Sequence, residues 1–200
     1  MGKRSDFKRV ARDAYATPAE AVAPLLSLLA PHTQFVEPCA GEGKLIERLA
    51  AAGHRCVGAF DLPDDARVKR YAIPAGALIV TNPPYFGRRA DLHPLIVNLS
   101  NQAEAWLLLP HDWLCNLSSA PLMRRLRAVK PIGRVRWITD SPSVGFENYD
   151  WMLFGRPSAW AATRLFGRDV ANGHGACDDD ATLFDKSAIN IPPVPVEAAS

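Results

Sequence analysis

Apolar positions along this chain gather into short continuous runs separated by amphipathic stretches. "TQFVEP", "RCVGAFD", "ALIVT" and "AEAWLLLP" each carry such a run, bounded by Gly, Pro or acidic residues. That is the signature of strands covered on both faces. "RVRWITD" and "YDWMLFGR" complete the strand candidates. Between these lie predicted helices. The first follows "YATPAEAVAPLLSLLA", with Thr17 as N-cap, Pro18 in the first turn and Glu20 three residues past the cap. It should run to about Ala30, with Pro24 placed early or kinking it. "KLIERLAAAG" reads as a second helix stopped by Gly53. "DLHPLIVNLSNQ" reads as a third with Pro94 in its first turn, and "SSAPLMRRLRAVK" as a fourth, capped by Ser118 or Ser119 with Pro121 just inside. "LPDDARVKRYAIPAG" shows no regular pattern.

Strands alternating with helices predict an α/β protein with parallel pairing and right-handed crossovers. The last two strands have no long helix between them and read as an antiparallel addition at the sheet edge. From about Pro157 the pattern fades, and "ANGHGACDDD" and "NIPPVPVEAAS" read as loop and mobile tail. The expected organisation is a basic arm over residues 1–14, one domain over 15–156 and a loop-rich, partly mobile extension over 157–200.

Composition narrows the class. A chain of 200 residues with 48% hydrophobic content can bury one real core. No apolar run reaches membrane-span length, and "MGKRSDFKRVARD" lacks the apolar stretch of a signal peptide. Asp6 stands where a myristoylation motif has Ser or Thr, so the expected location is cytoplasmic. Cys39, Cys56, Cys115 and Cys177 form no Cys-x-x-Cys pair, and the five histidines are scattered, so no metal is expected. Net charge is only +2, but its distribution is uneven. Lys3, Arg4, Lys8, Arg9 and Arg12 crowd the N-terminus, and Arg88 and Arg89 form a second group. Arg124, Arg125, Arg127, Lys130, Arg134 and Arg136 form a third, with no acid between Asp112 and Asp140. Three basic clusters point toward a polyanionic partner.

Candidate chemistry sits at strand ends. In "FVEPCAGEGKLIERL" a strand delivers Glu37 and Pro38, and Gly41 and Gly43 then turn the chain into a helix. Glycines there let a ligand approach the backbone. Asp61 ends the second strand roughly twenty residues later, where an acid in an open parallel sheet bonds ribose hydroxyls. The third strand ends in Asn82-Pro83-Pro84-Tyr85. The Asn82 oxygen and the Pro83 carbonyl make two acceptors for one NH2 group, and proline fixes the direction of the second. Pulling on both hydrogens localises the nitrogen lone pair and makes a poor nucleophile a better one. Tyr85 offers a flat face for a planar substrate.

Asn82 to Tyr85, "EPCAGEG" and "DAYATP" together resemble the class I S-adenosylmethionine-dependent amino-methyltransferases, in particular DNA adenine methyltransferases of phage or prophage type. The resemblance covers roughly residues 12 to 155. It implies a Rossmann-like methyltransferase fold: a mostly parallel seven-stranded sheet with an antiparallel edge strand and helices on both faces. It implies catalysis by Asn82, Pro83, Pro84 and Tyr85. It implies S-adenosylmethionine held by Tyr15, Thr17, Pro18, Glu37, Pro38, Ala40, Gly41, Gly43, Asp61 and Asn82. Tyr85, Arg88 and Arg89 would meet the nucleic acid, with DNA the expected partner. The same motif also serves adenine in RNA and glutamine amides in proteins, and a non-catalytic scaffold subunit of the same fold is the reading from another class. The acid that often follows the third strand and holds the cofactor's adenine has no counterpart here, and no large target-recognition insert is present.

Overall fold

The computed structural model describes residues 16–84, 92–138, 145, 147–158 and 162–168. Seven strands among them form one sheet: β1 (Gln34–Glu37), β2 (Arg55–Ala59), β3 (Leu78–Thr81), β4 (Ala105–Pro110), β5 (Leu126–Arg134), β6 (Asn148–Phe154) and β7 (Arg164–Leu165). Their order across the sheet is β2-β1-β3-β4-β6-β5-β7. β1, β2, β3 and β4 pair in parallel. β6 runs against both β4 and β5, and β7 runs parallel to β5. A single strand is thus antiparallel. It lies inside the last three strands, because β5 folds back outside it. The fold is the expected open, Rossmann-like α/β sheet.

Successive residues on each strand face opposite sides, as the pleat requires. Phe35, Val80, Trp106 and Leu108 pack with α1 (Ala19–Leu26) and α2 (Lys44–Ala51) through Val22, Leu25, Leu45 and Leu49. Val36, Ile79, Leu107 and Leu109 face the other way. They are covered by α3 (Leu92–Gln102), by the short α4 (Asp112–Cys115) and by a 3-10 helix at Leu117–Arg125. Burial of both faces explains why these strands read as unbroken apolar runs.

Four expectations shift, the first being the strand expected at "RVRWITD", of whose described residues only Arg134 lies in a strand. The stretch "SSAPLMRRLRAVK" does not form one helix: a 3-10 helix ends at Arg125, and Leu126–Arg134 is strand β5. Eight buried or part-buried positions in β5 supply the reason, since tertiary burial overrides local helix signals. Pro18, not Thr17, is the N-cap of α1, with no side-chain cap bond, and the helix ends at Leu26. Glu20, placed to complete a capping box, instead accepts from the Arg136 backbone N–H at 2.6 Å. Residues 162–168, expected in the loop-rich extension, add β7 to the sheet edge, where Phe166 N–H donates to the Val129 carbonyl at 2.9 Å.

Candidate active site

The chain leaves β1 for β2 on one side, then returns to place β3 on the other. The carboxyl ends of β1 and β3 therefore flank a switch point, the place where open parallel sheets leave a crevice. The segment after β1 fills one wall. Gly41 (φ 50°) and Gly43 (φ 75°) are both left-handed. The Gly43 N–H closes the turn on the Ala40 carbonyl at 2.8 Å, and the Gly43 carbonyl starts α2 by accepting from Glu47 N–H at 2.9 Å. A Cβ built at either glycine meets nothing within 4 Å, so space beside this turn is open. Glycine is needed here for backbone conformation.

Two backbone bonds stitch the end of β2 to this turn. Phe60 N–H donates to the Glu37 carbonyl and Ala40 N–H to the Phe60 carbonyl, both at 2.8 Å. The next residue, Asp61, is exposed and close enough for its charge to bear on Glu37. Glu37 itself is 1% exposed, and its Oε2 has no partner among the described residues. Burial, aided by Asp61, pushes its carboxyl up to about 9. Burial likewise lifts the Cys39 thiol to about 12 and the Tyr71 phenol to about 12. Tyr71 packs against Phe60 with the rings tilted and their centroids 4.8 Å apart, its hydroxyl unpaired among the described residues. The crevice floor is thus poorly hydrated and carries a neutral acid. A ligand bringing positive charge or an N–H donor would find in Glu37 a group whose ionisation it favours.

The other wall is the turn after β3. Asn82 is half-buried, Pro83 buried and Pro84 exposed. Asn82 Nδ2 donates to Thr17 Oγ1 at 3.1 Å, so the hydroxyl expected to cap α1 holds the Asn82 amide. Nδ2 being at Thr17, the acceptor end Oδ1 faces the other way. Thr17 is held in turn because α1 is pinned to the sheet: Trp151 Nε1 donates to the Ala21 carbonyl at 2.7 Å. Thr17 and Pro18 lead into α1, Glu37 ends β1, Pro38, Ala40, Gly41 and Gly43 follow it, Asp61 follows β2, and Asn82, Pro83 and Pro84 follow β3. Tyr15, Tyr85, Arg88 and Arg89 lie outside the described residues.

One pair at this end of the sheet escaped the sequence reading. His111 directly follows β4, and its Nδ1 lies 2.7 Å from Asp150 Oδ2 on β6. The Asp150 side chain is 1% exposed and that of His111 47%. Burial raises the Asp150 carboxyl above its ordinary range, against the lowering pull of the His111 hydrogen bond and charge. The available signal was an acid inside the apolar run of "YDWMLF".

The third basic cluster is divided by the fold. β5 runs parallel to β4, so Arg134 and Arg136 lie at the crevice end of the sheet, whereas Arg124, Arg125 and Arg127 lie at the opposite end. Arg125 donates to Ser100 Oγ and Asn101 Oδ1, both at 2.9 Å, and Arg127 to the Arg124 carbonyl at 2.9 Å. Lys130 is buried and donates to the Gly167 carbonyl at 2.8 Å, so it is no surface contact. A continuous basic track from Arg124 to Arg136 is therefore absent.

Among the described residues there is no group of three or more His, Cys, Asp and Glu suited to a metal ion, and no helix long and apolar enough to cross a membrane. No family model matches the chain, and no curated protein matches it. Solved structures do. A TehB-like S-adenosylmethionine-dependent methyltransferase from Corynebacterium glutamicum is 15% identical, with 68% of this chain and 86% of that one covered and a TM-score of 0.42. A predicted O-methyltransferase from Agrobacterium tumefaciens is 13% identical, with 72% and 83% covered and a TM-score of 0.44. The M protein of the type I restriction enzyme EcoKI is 9% identical, with 70% of this chain but 43% of that one covered and a TM-score of 0.41. At these values none of the likenesses says what this chain acts on.

Proposed function

We propose that this chain is an S-adenosylmethionine-dependent methyltransferase that methylates the exocyclic amine of adenine in DNA. The observation that carries the reading is the Asn82-Pro83-Pro84 turn at the carboxyl end of β3, facing the glycine turn of β1 across the switch point, with its Asn amide anchored by Thr17.

The residues fit the cofactor. Open space beside Gly41 and Gly43 admits a ligand against the backbone, and the orphaned, protonated Glu37 is suited to a cationic ligand that would draw it into the ionised form. Asp61 at the lip can accept ribose hydroxyls. When bound, S-adenosylmethionine supplies a methyl group on a positively charged sulfur. Asn82 Oδ1 and the Pro83 carbonyl accept the two hydrogens of the target amine and localise its lone pair. Pro84 holds the turn, and Tyr85, Arg88 and Arg89 are proposed to stack on the base and meet its flanking phosphates. A base within duplex DNA is extruded first, at a cost of a few kcal/mol that stacking and pocket contacts offset. The chain's contribution is mostly positioning and fixed dipoles.

Incubating the protein with labelled S-adenosylmethionine and separate DNA, RNA and protein pools tests this. Label in DNA, found as N6-methyladenine, is expected. Label confined to RNA or to glutamine side chains would redirect the substrate, and no cofactor binding by calorimetry would favour a scaffold subunit.

A further inference from the structure

We propose that a cavity at the end of the sheet opposite the crevice binds a small, hydroxyl-bearing phosphate monoester, gripped by Arg127 and Arg156. The site lies apart from the Asn82 turn and does not depend on the methyltransferase reading.

Strand register gathers its residues. Phe154, the last residue of β6, stands between Ala105, the first of β4, and Leu126, the first of β5. The neighbours of these three therefore meet: Glu104 just before β4, Arg127 next along β5, and Gly155 and Arg156 just past β6. With Ser100 near the end of α3, and Ala103, they line a cavity of about 320 Å³. Pockets for small-molecule ligands run upward from ~300 Å³.

The cavity carries uncompensated positive charge. Among the described residues no ion pair reaches Arg124, Arg125, Arg127 or Arg156, and Glu104 lines the cavity without pairing to any of them. The guanidinium groups are tied to neutral acceptors instead. Arg125 is held by Ser100 and Asn101. Arg127 Nη1 donates to the Arg124 and Leu126 carbonyls at 2.9 and 3.3 Å, and its Nη2 to the Arg156 carbonyl. Arg156 Nε donates to the Asn101 carbonyl at 3.2 Å. These bonds fix the side chains and leave their charges facing one another. Burial, and then the charges of Arg124 and Arg127, lower the Arg125 guanidinium below its ordinary range. A bound anion relieves that repulsion.

The donors left over have the right form. Among the described residues, Arg127 keeps its Nε–H and one Nη2–H, and the exposed Arg156 keeps both Nη groups. A Cβ built on Gly155 would stand 3.4 Å from Arg127 Nε and 3.6 Å from its Nη2. Gly155 therefore leaves that edge of the guanidinium uncovered on the cavity side. Nε and Nη2 form a planar fork that matches two oxygens of one phosphate, and a second guanidinium adds charge and donors. Glu104 repels a bare anion, but its carboxylate accepts from a hydroxyl. Together these favour a phosphate carried on a hydroxylated body over inorganic phosphate.

Calorimetric titration of the full chain with uridine 5′-monophosphate, inorganic phosphate and uridine tests the site. The monophosphate should bind, inorganic phosphate should bind about tenfold or more weakly, and uridine should not bind. Gly155→Ala should fold, since its methyl meets Arg127 at ordinary contact distances, and should weaken the monophosphate by about tenfold or more by covering the fork. Arg156→Ala, at an exposed side chain, should weaken it as much. No binding of the monophosphate by wild type, or unchanged affinity in either variant, overturns the site. Uridine or inorganic phosphate binding as tightly as the monophosphate overturns the assignment of a monoester.

Discussion

Glu37→Gln should stabilise the ligand-free protein at neutral pH, by an amount that grows with pH. The carboxyl has an ordinary value of 4.5 and stands near 9 in the fold, chiefly because it is buried without a partner for Oε2. The folded chain therefore holds a proton that the unfolded chain has released. A raised carboxyl of this kind makes stability fall as pH rises from the unfolded value toward the folded one. Each pH unit in that window costs about 1.4 kcal/mol, so between about pH 5 and about pH 8 wild type should lose roughly 4 kcal/mol relative to the amide, which does not titrate. That is a large share of the roughly 5–15 kcal/mol that holds a domain together. Urea denaturation of both proteins at the two pH values measures the difference directly. A stability gap of the same size at both would show that Glu37 ionises freely in the folded state, and the account of a dry, neutral-acid floor would be refuted. The same variant should bind S-adenosylmethionine weakly. Calorimetry in buffers of different ionisation enthalpy should find proton release on cofactor binding at neutral pH by wild type and none by Glu37→Gln.

Asn82→Ala should fold normally and lose about a hundredfold or more in transfer rate, by analogy with removal of one oxyanion donor; near-normal turnover would rule out the two-acceptor mechanism. Thr17→Val, which removes only the hydroxyl holding the Asn82 amide, should cost about a tenth as much, since one neutral hydrogen bond is worth ~1 kcal/mol. Asp61→Ala should weaken cofactor affinity by about tenfold or more while sparing the saturated rate, because a bond to a charged acceptor is worth ~1.5–3 kcal/mol; an unchanged dissociation constant would remove it from the ribose site. Replacing Arg134 and Arg136 by Ala should flatten the dependence of log affinity on log salt by up to about 1.8, at about 0.9 per phosphate contact, whereas replacing Arg124 and Arg127 should leave it unaltered. Equal effects from the two pairs would contradict the division of the cluster.

Strands β1, β3, β4 and β6 were legible because a strand covered on both faces carries a continuous apolar run, broken here only by an occasional polar residue such as Glu37 or Asp150, and such runs need no knowledge of partners. β5 was not. It contains Arg127, Lys130, Pro131 and Arg134. Lys130 becomes tolerable only when its ammonium reaches the Gly167 carbonyl, a contact supplied from 37 residues away. Ser118, Ser119 and Pro121 meanwhile give a true local signal, realised as a 3-10 helix rather than an α-helix. The site shows the same divide. Gly41, Gly43 and Asn82 were legible because each stands at the end of a recognisable strand. The role of Thr17 and the His111–Asp150 pair were not, since their partners lie 65 and 39 residues away and meet only through the packing of α1 and the β4–β6 register.

The division of arginines between the two ends of β5 sets a length scale for any polyanion this chain holds. The strand has nine residues, whose eight steps of ~3.3 Å span roughly 26 Å. With one base pair per ~3.4 Å, that is the rise of about eight base pairs of duplex. A duplex presenting a base to the crevice and reaching the far arginines as well would have to travel that distance around the β7 edge of the sheet. A straight duplex lying across the crevice mouth meets only Arg134 and Arg136 from this group. Nuclease protection should accordingly reveal a compact footprint centred on the methylated adenine, and lengthening the duplex beyond it should add little affinity.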